Sequence, residues 1–222
     1  MNASIRLDFD QAREAMVEQQ IRPWDVLDTR VLEVLAQLPR EAFVPAAYRA
    51  LAYADLALPL GNGTQTLKPV LEGRILQALA PQPHEAVLLA GAGGGYLAAC
   101  LGRLAREVLV LEADPGLADA ARANLAAAGL DGNVRIEHAD PLHWRSERRF
   151  DAACVTAAVD SVPPAFLDWL APGGRLFVVR GRAPAMEAVL VRNEAGAARI
   201  ESLFETELPY LAGAAPAPHF QL

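Results

Sequence analysis

A glycine-rich run that follows a short apolar segment is the part of the sequence best suited to bind a ligand. Val87 to Ala90 are apolar, and the chain continues as Gly91-Ala92-Gly93-Gly94-Gly95-Tyr96. Glycines at the carboxyl end of a strand let the backbone turn sharply and approach a ligand closely, which predicts a nucleotide site. The alternative is that they serve only a tight turn. The residues of the run predicted to bind a cofactor are Gly91, Ala92, Gly93, Gly95 and Tyr96.

Two carboxylates stand where the next two strands of the pattern end. Glu112 follows the second strand, where a carboxylate can accept hydrogen bonds from both ribose hydroxyls; a solvated surface Glu is the alternative. Asp140 follows the third strand, where it can receive an adenine amine or, alternatively, cap the turn Asp140-Pro141. Because the carboxyl ends of parallel strands meet at one sheet edge, the glycines and both acids are predicted to line one crevice. Ala113 and Ala139 complete the predicted cofactor-binding set.

The elements that must position these residues alternate between strand and helix after about residue 86. Such βαβ repetition predicts a parallel sheet with helices on both faces. A hairpin joined by Glu194-Ala195-Gly196 is predicted to close one edge. We therefore expect an α/β fold with a Rossmann-like, doubly wound, seven-stranded sheet, mostly parallel with an antiparallel C-terminal hairpin. The predicted strands are Ala86 to Ala90, Glu107 to Leu111, Val134 to His138, Asp151 to Thr156, Arg175 to Arg180, Ala188 to Asn193 and Arg199 to Glu207.

Capping residues predict where several helices begin. Asp10 is expected to cap a helix through Gln20, and Asp28 a helix over Thr29 to Gln37 that Pro39 ends. Within the sheet region, helices are expected from the glycines through Ala105 and from two proline-containing starts. The Ala/Pro-rich segment from Ala212 to Pro218 is predicted to be a loosely held tail. The two proline-containing starts are Asp114-Pro115 and Pro163-Pro164.

Composition narrows the partners and the compartment. The 222 residues carry a formal charge of −7, which provides no basic surface for phosphate groups and disfavours nucleic acid. Asp8 and Asp10 argue against a secretory leader, and the apolar stretch Leu56 to Leu60 is too short to span a membrane. Cys100 and Cys154 lie in apolar surroundings, as expected of reduced core cysteines in a cytoplasmic protein. The spacing of the four histidines predicts no metal site.

Further motifs extend over nearly the whole chain. Val87 to Tyr96 resembles the first motif of class I methyltransferases, and Leu170-Ala171-Pro172-Gly173-Gly174-Arg175-Leu176 resembles the turn into their fifth strand. With the motifs that follow, the chain is similar to the protein-L-isoaspartate O-methyltransferase family, as a divergent member. Those motifs are Val31-Leu32-Glu33, Leu38-Pro39-Arg40-Glu41-Ala42-Phe43-Val44-Pro45, Tyr53-Ala54-Asp55, Leu58-Pro59-Leu60-Gly61 and Val155-Thr156-Ala157-Ala158.

The resemblance implies an S-adenosylmethionine-dependent O-methyltransferase that modifies isoaspartyl side chains of damaged proteins or peptides, as a monomer or homodimer. It implies that residues 1–80 form a helical N-terminal extension with a loop covering substrate and cofactor. That extension is expected to share one domain with a Rossmann-like cofactor-binding core of residues 81–222. Thr66, which stands in for the family's loop hydroxyl, is the candidate catalytic residue. The implied substrate contacts are Gln65, Thr66, Lys68, Thr156 and Ala157.

The sequence departs from the family pattern at three places. The family's first motif usually carries an acid two residues before its first glycine, where this chain has Leu89. The covering loop usually reads Gly-x-Gly-Gln-Thr-Ile-Ser-x-Pro, whereas the stretch from Gly61 to Pro69 lacks the serine, and Asp140 is followed by Pro141 instead of Gly. These departures leave open a methyltransferase of another substrate and a non-catalytic cofactor-binding relative. A dehydrogenase would explain the glycines and Glu112 but not the N-terminal extension.

Overall fold

The computed structural model describes residues 8–194 and 197–217, which build one large sheet with helices packed against it. The sheet has seven strands in the order β5-β4-β3-β6-β7-β8-β9, and the pairs from β5 to β7 are parallel while β7-β8 and β8-β9 are antiparallel. The predicted mostly parallel sheet with an antiparallel C-terminal hairpin is confirmed. The strands are β3 Ala86–Ala90, β4 Glu107–Glu112, β5 Val134–His138, β6 Phe150–Val159, β7 Leu170–Arg182, β8 Ala185–Glu194 and β9 Ala197–Glu205.

Six α-helices accompany the sheet in the described residues, together with several 3₁₀-helical turns and one π-helical turn. Asp28 caps α2 and Asp114 caps α5 through bonds to the backbone amides of Arg30 and Leu117, as the sequence predicts. Gly95, with φ of +95°, begins the helix after the glycine run. The α-helices are α1 Phe9–Ala15, α2 Thr29–Gln37, α3 Pro69–Leu79, α4 Tyr96–Leu104, α5 Pro115–Ala127 and α6 Pro164–Leu167.

Two hydrophobic clusters pack on opposite faces of the sheet. Val87 and Leu89 of β3 point into the cluster that contains α2, α3, α4 and α5, while Leu88 and Ala90 point into the one that contains α6 and Trp169. Every residue of β3 is therefore buried, as expected of a central parallel strand covered on both faces. This rigid strand ends directly beneath the glycine run, so the core fixes where the run begins.

The N-terminal segment differs from its predicted form in two ways. Asp8, not Asp10, caps the first helix, because its carboxylate accepts the amides of Asp10 and Gln11, whereas Asp10 pairs with Arg13 one turn on. The predicted helix through Gln20 ends as an α-helix at Ala15 and widens into a π-helical turn over Met16–Ile21. The segment also contains a small hairpin of β1 Pro59–Gly61 and β2 Thr64–Gln65, where the sequence predicts helices and a loop.

Element ends on the C-terminal side also shift. β6 and β7 each begin earlier than predicted, and the last hairpin pairs Ala185–Glu194 with Ala197–Glu205; its predicted turn residues 195 and 196 lie outside the described residues. The prediction of a loose tail is wrong up to Ala214, whose carbonyl accepts the amide of Asp160 and whose amide donates to Leu211. Pro218 lies outside the described residues. None of the described helices has the length and apolar content needed to cross a bilayer.

The N-terminal extension presses against the glycine run. A Cβ at Gly94 would lie 2.0 Å from the carbonyl oxygen of Phe43, and the Phe43 ring packs edge-on against Tyr96 with centroids 5.7 Å apart. One hydrophobic cluster contains buried residues from both sides of residue 80. We propose on this basis that residues 1–80 and 81–222 form one domain.

Replacement of Gly94 by Ala tests this contact. The added methyl group overlaps backbone that cannot move without shifting the Arg40–Phe43 turn, so Gly94→Ala should lower the free energy of unfolding by about 1–3 kcal/mol. Gly132→Ala is the matched control, because no atom lies within 4 Å of its Cβ, and its cost should not exceed about 0.5 kcal/mol. Urea denaturation should show one transition in each protein. Equal effects of both substitutions, or a separate transition for the extension, would contradict the proposal.

Candidate active site

A cleft of about 360 Å³ opens at the carboxyl edge of the parallel strands. Its walls come from three distant parts of the chain: the β1-β2 hairpin loop, the ends of β3, β4 and β6, and residues Leu208 to Ala212. This is the sheet edge at which open α/β folds bind ligands. The predicted site residues that line it are Gln65, Thr66, Gly91, Gly93, Glu112, Ala113, Thr156 and Ala157.

The glycine run forms the floor in a conformation that side chains resist. Gly91 and Gly93 have φ of +99° and +52°, values that L-residues rarely adopt. A Cβ at Gly91 would lie 2.0 Å from Oγ1 of Thr156, and that hydroxyl donates to the carbonyl of Ala90 at 3.1 Å. The end of β6 thus locks the turn in place, and it does so within a bulge in which β6 and β7 lose register between Cys154 and Ala158.

Glu112 is a buried carboxylate at the end of β4 that faces the cleft. One of its oxygens accepts the amide of Ala92 at 2.8 Å and the other accepts the amide of Asp114 at 2.9 Å. It is not the solvated surface residue of the alternative interpretation. Because a carboxylate can accept about four hydrogen bonds, two acceptor positions are left for a ligand that carries two neighbouring hydroxyls.

The loop between Pro59 and Pro69 forms one side of the cleft. Thr66 is buried; its amide donates to the carbonyl of Leu58 at 2.8 Å, and its Oγ1 accepts the amide of Leu58 at 3.0 Å. Asn62 donates to Asp114 at 2.9 Å, which joins the loop to the start of α5. The Thr66 hydroxyl proton can still donate to a ligand, because the bond to Leu58 uses only an acceptor position.

An inner chamber of about 50 Å³ continues the cleft beneath the glycine run. Gln65, Thr66 and Thr156 line both spaces, while Ala92 and Tyr96 line only the inner one. Sequence reasoning missed two charged residues there, Arg40 and Glu72, whose side chains are 1% and 4% exposed and pair at 2.9 Å. Burial raises the pKa of Glu72, and the Arg40 guanidinium opposes that rise.

Tyr96 also faces this chamber, with its ring about 5.5 Å from the Arg40 guanidinium carbon. Its hydroxyl is buried and has no hydrogen-bond partner among the residues that the structure describes, and burial raises the pKa of Tyr96 well above its usual value. The chamber therefore brings one positive charge, one negative charge and one phenol hydroxyl together in a small space.

Four predicted site residues line neither space: Gly95, Lys68, Ala139 and Asp140. Asp140 caps its own turn: one oxygen accepts the amide of Leu142 at 3.0 Å, and the other pairs with Nδ1 of His143 at 2.5 Å, which lowers the pKa of Asp140. Its neighbour Ala139 donates its amide to the carbonyl of Glu112. Lys68 is exposed at the start of α3, where its carbonyl accepts the amide of Glu72.

A strap from Leu208 to Ala212 supplies a wall that no sequence motif indicated. It crosses from β9 to the end of β6, where the amide of Ala158 donates to Pro209 and the amide of Leu211 donates to Ala158, both at 2.8 Å. The Tyr210 hydroxyl fixes the strap by donating to the carbonyl of Gly181 at 3.0 Å. Its five residues, Leu-Pro-Tyr-Leu-Ala, show no helical or strand periodicity.

The cleft suits a nucleoside more than a metal ion. Its volume falls in the usual range of about 300–1,000 Å³ for small-molecule sites, its floor lacks side chains at Gly91 and Gly93, and Glu112 presents unused acceptors. Among residues 8–194 and 197–217, no three His, Cys, Asp or Glu side chains are grouped to hold a metal. Cys100 and Cys154 are free thiols buried on α4 and β6.

Comparisons with known proteins agree over nearly the whole chain. Residues 11–208 match the model of the protein-L-isoaspartate(D-aspartate) O-methyltransferase family. A protein-L-isoaspartate O-methyltransferase of Methylorubrum populi is 40% identical over 195 residues, 87% of this chain and 90% of that protein. Another, from Syntrophobacter fumaroxidans, is 39% identical over 188 residues, covering 84% and 87%.

The fold is shared with a solved structure of lower sequence similarity. A Plasmodium falciparum structure described as a protein-L-isoaspartate O-methyltransferase, solved with S-adenosyl-L-homocysteine, superposes with a TM-score of 0.78 at 18% identity. The superposition covers 93% of this chain and 99% of that chain. The shared fold therefore includes the sheet and most of the N-terminal extension.

Proposed function

The chain belongs to the protein-L-isoaspartate O-methyltransferase family, and we propose that it transfers a methyl group from S-adenosylmethionine to the free carboxylate of isoaspartyl residues in damaged proteins. The observation that carries this proposal is the family match over residues 11–208, which includes the N-terminal extension as well as the cofactor cleft. A general dinucleotide-binding fold would account for the sheet and the glycines but not for that extension.

The proposed reaction requires orientation more than acid–base chemistry. When bound, S-adenosylmethionine supplies an electrophilic methyl group that a carboxylate oxygen can accept. The free carboxyl of an isoaspartyl residue, with a pKa of about 4 or below, is already ionised at neutral pH, so the protein need not supply a general base. The residues of the cleft contribute by holding the acceptor in line and excluding water, an effect worth up to roughly 7–11 kcal/mol in favourable cases.

We assign the nucleoside to the larger space of the cleft. Glu112 would accept the ribose hydroxyls with its two unused acceptor positions, and the bare backbone of Gly91 and Gly93 would lie against the ligand. We retain Ala92, Gly95, Tyr96, Ala113, Ala139 and Asp140 as proposed cofactor-binding residues. For Asp140 this requires that its carboxylate accept an adenine amine while it still caps its own turn.

We assign the isoaspartyl substrate to the loop side of the cleft. Thr66 would donate its hydroxyl proton to the substrate carboxylate, and Gln65, Thr156 and Ala157 would contact the peptide. Lys68 is a weaker proposal, because its side chain is exposed at the start of α3. In this arrangement the hydroxyl of Thr66 takes the place of the serine that the loop lacks.

We also propose a protein or peptide substrate and a cytoplasmic location. A charge of −7 favours protein or peptide substrates over nucleic acid and anionic membranes. Buried free thiols at Cys100 and Cys154 fit a reducing compartment such as the cytoplasm. A monomer or a homodimer is compatible with a cleft built entirely from one chain.

A pair of peptides tests the substrate. The protein should transfer radiolabelled methyl groups from S-adenosylmethionine to a peptide containing one L-isoaspartyl residue, and not to the same peptide with normal L-aspartate. The preference should be at least about tenfold in kcat/KM, since a displaced carboxylate loses in-line geometry. Binding of S-adenosylhomocysteine without methylation of either peptide would reject the isoaspartyl substrate while retaining the cofactor.

Substitution of Glu112 tests the ribose contact. Glu112→Ala should weaken binding of S-adenosylhomocysteine by about 1.5–3 kcal/mol, because two charge-assisted hydrogen bonds are lost. Glu33→Ala, on an exposed part of α2, is the control. Isothermal calorimetry is repeated with an analogue of S-adenosylhomocysteine whose ribose lacks both hydroxyls and so cannot make the direct contact with Glu112. An equal loss of affinity for both ligands would mean that Glu112 only holds the glycine turn in place.

Two substitutions at Thr66 test the loop hydroxyl. Thr66→Val should lower kcat/KM for the isoaspartyl peptide about tenfold or more, since a hydrogen bond to a charged group is lost. Thr66→Ser should retain most activity, and the dissociation constant of S-adenosylhomocysteine should change less than about threefold in both variants. Steady-state kinetics with unchanged activity in Thr66→Val would remove Thr66 from the site.

A further inference from the structure

The inner chamber contains a buried ion pair whose position the reaction described above does not explain. Arg40 donates from Nε to Glu72 at 2.9 Å, from one terminal nitrogen to the carbonyl of Ala52 at 2.6 Å and from the other to the carbonyl of Leu67 at 2.7 Å. Removing two charges from water is costly even when they pair. A pair that lines a ligand cleft is therefore a candidate for binding as well as for structure.

The ion pair has unused hydrogen-bonding capacity, and both of its residues line the chamber. A guanidinium has five N–H groups, of which the three bonds above use three. Glu72 receives one hydrogen bond, from Arg40, although a carboxylate can accept about four. Glu72 therefore offers the chamber a negative charge with free acceptors, and Arg40 offers a positive charge with free donors. This combination suits a zwitterion.

The usual source of negative charge is absent from the glycine run. Leu89 occupies the position two residues before Gly91, and its side chain is fully buried in the apolar core below the turn. Glu72 reaches the same chamber from α3, on the other side of the turn, where it and Gly91 are both wall residues. A carboxylate on α3 therefore lines the chamber, although the end of β3 provides none.

We propose that Arg40 and Glu72 form the subsite for the amino-acid end of the cofactor, with Glu72 accepting its ammonium group and the spare Arg40 donors facing its carboxylate. The proposal rests on the proposed function, because it requires S-adenosylmethionine in the adjoining space. The two spaces share Gly91, Gly93 and Thr66 as walls, so one ligand can extend from one into the other.

Three ligands that differ only at that end test the proposal. S-adenosylhomocysteine carries both charges, its deamino analogue keeps the carboxylate but lacks the ammonium, and methylthioadenosine lacks both. Glu72→Gln should weaken S-adenosylhomocysteine at least about tenfold in isothermal calorimetry. The same substitution should change the other two dissociation constants less than about threefold.

Controls separate this effect from damage to the fold. Glu85→Gln is matched to Glu72→Gln, because Glu85 is also a buried glutamate paired with an arginine, at 2.7 Å from Arg175, but it lies outside both spaces. It should leave all three affinities unchanged. If Glu72→Gln does not fold, Glu72→Asp, which keeps the charge but withdraws it, should weaken S-adenosylhomocysteine selectively.

The outcomes distinguish this subsite from the function on which it rests. Wild-type protein that binds none of the three ligands would defeat the proposed function. Wild-type binding with equal losses for all three ligands in the Glu72 variants, or with no loss for S-adenosylhomocysteine, would overturn only the subsite. A loss confined to S-adenosylhomocysteine supports it.

Discussion

The cleft depends on a buried carboxylate that joins two strand ends. Glu112 accepts the amide of Ala92 after β3 and the amide of Asp114 after β4, so the glycine turn and the start of α5 have a fixed relative position. Asp114 in turn caps α5 and accepts from Asn62 of the covering loop. Because each of these bonds ends on backbone or on a short side chain, the residues around the ligand space are positioned before any ligand binds.

The sheet could be predicted from the sequence because its signals are local. Five consecutive buried residues in β3 give an apolar run, and Asp28 and Asp114 each stand directly before a helical segment whose amides they accept. The ends of strands were harder to predict. β7 begins at Leu170, whereas the sequence predicts a start at Arg175, after the two glycines of the turn. Pairing with Phe150 of β6 decides that boundary, and pairing is not visible in one segment alone.

The features that could not be predicted arise from contacts between distant segments. Arg40 and Glu72 are 32 residues apart and lie on separate elements, so no spacing rule relates them. The β1-β2 hairpin has only three and two residues in its strands, too few for an alternating pattern. The strap at Leu208 to Ala212 lies on the end of β6, a bulge that itself becomes visible only when two strands pair.

The ion pair in the inner chamber also links the proposed cofactor and substrate sides of the cleft. Arg40 donates to the carbonyl of Leu67, the residue after Thr66. Glu72 lies in the first turn of α3, the helix that follows the loop. A ligand group that draws on the free donors and acceptors of this pair therefore acts on the segment that holds the Thr66 hydroxyl. Two hydrogen bonds to Leu58 already restrict the position of the Thr66 hydroxyl. The loop can thus differ from the family's usual residues while Arg40 and Leu58 keep a hydroxyl at the edge of the cleft.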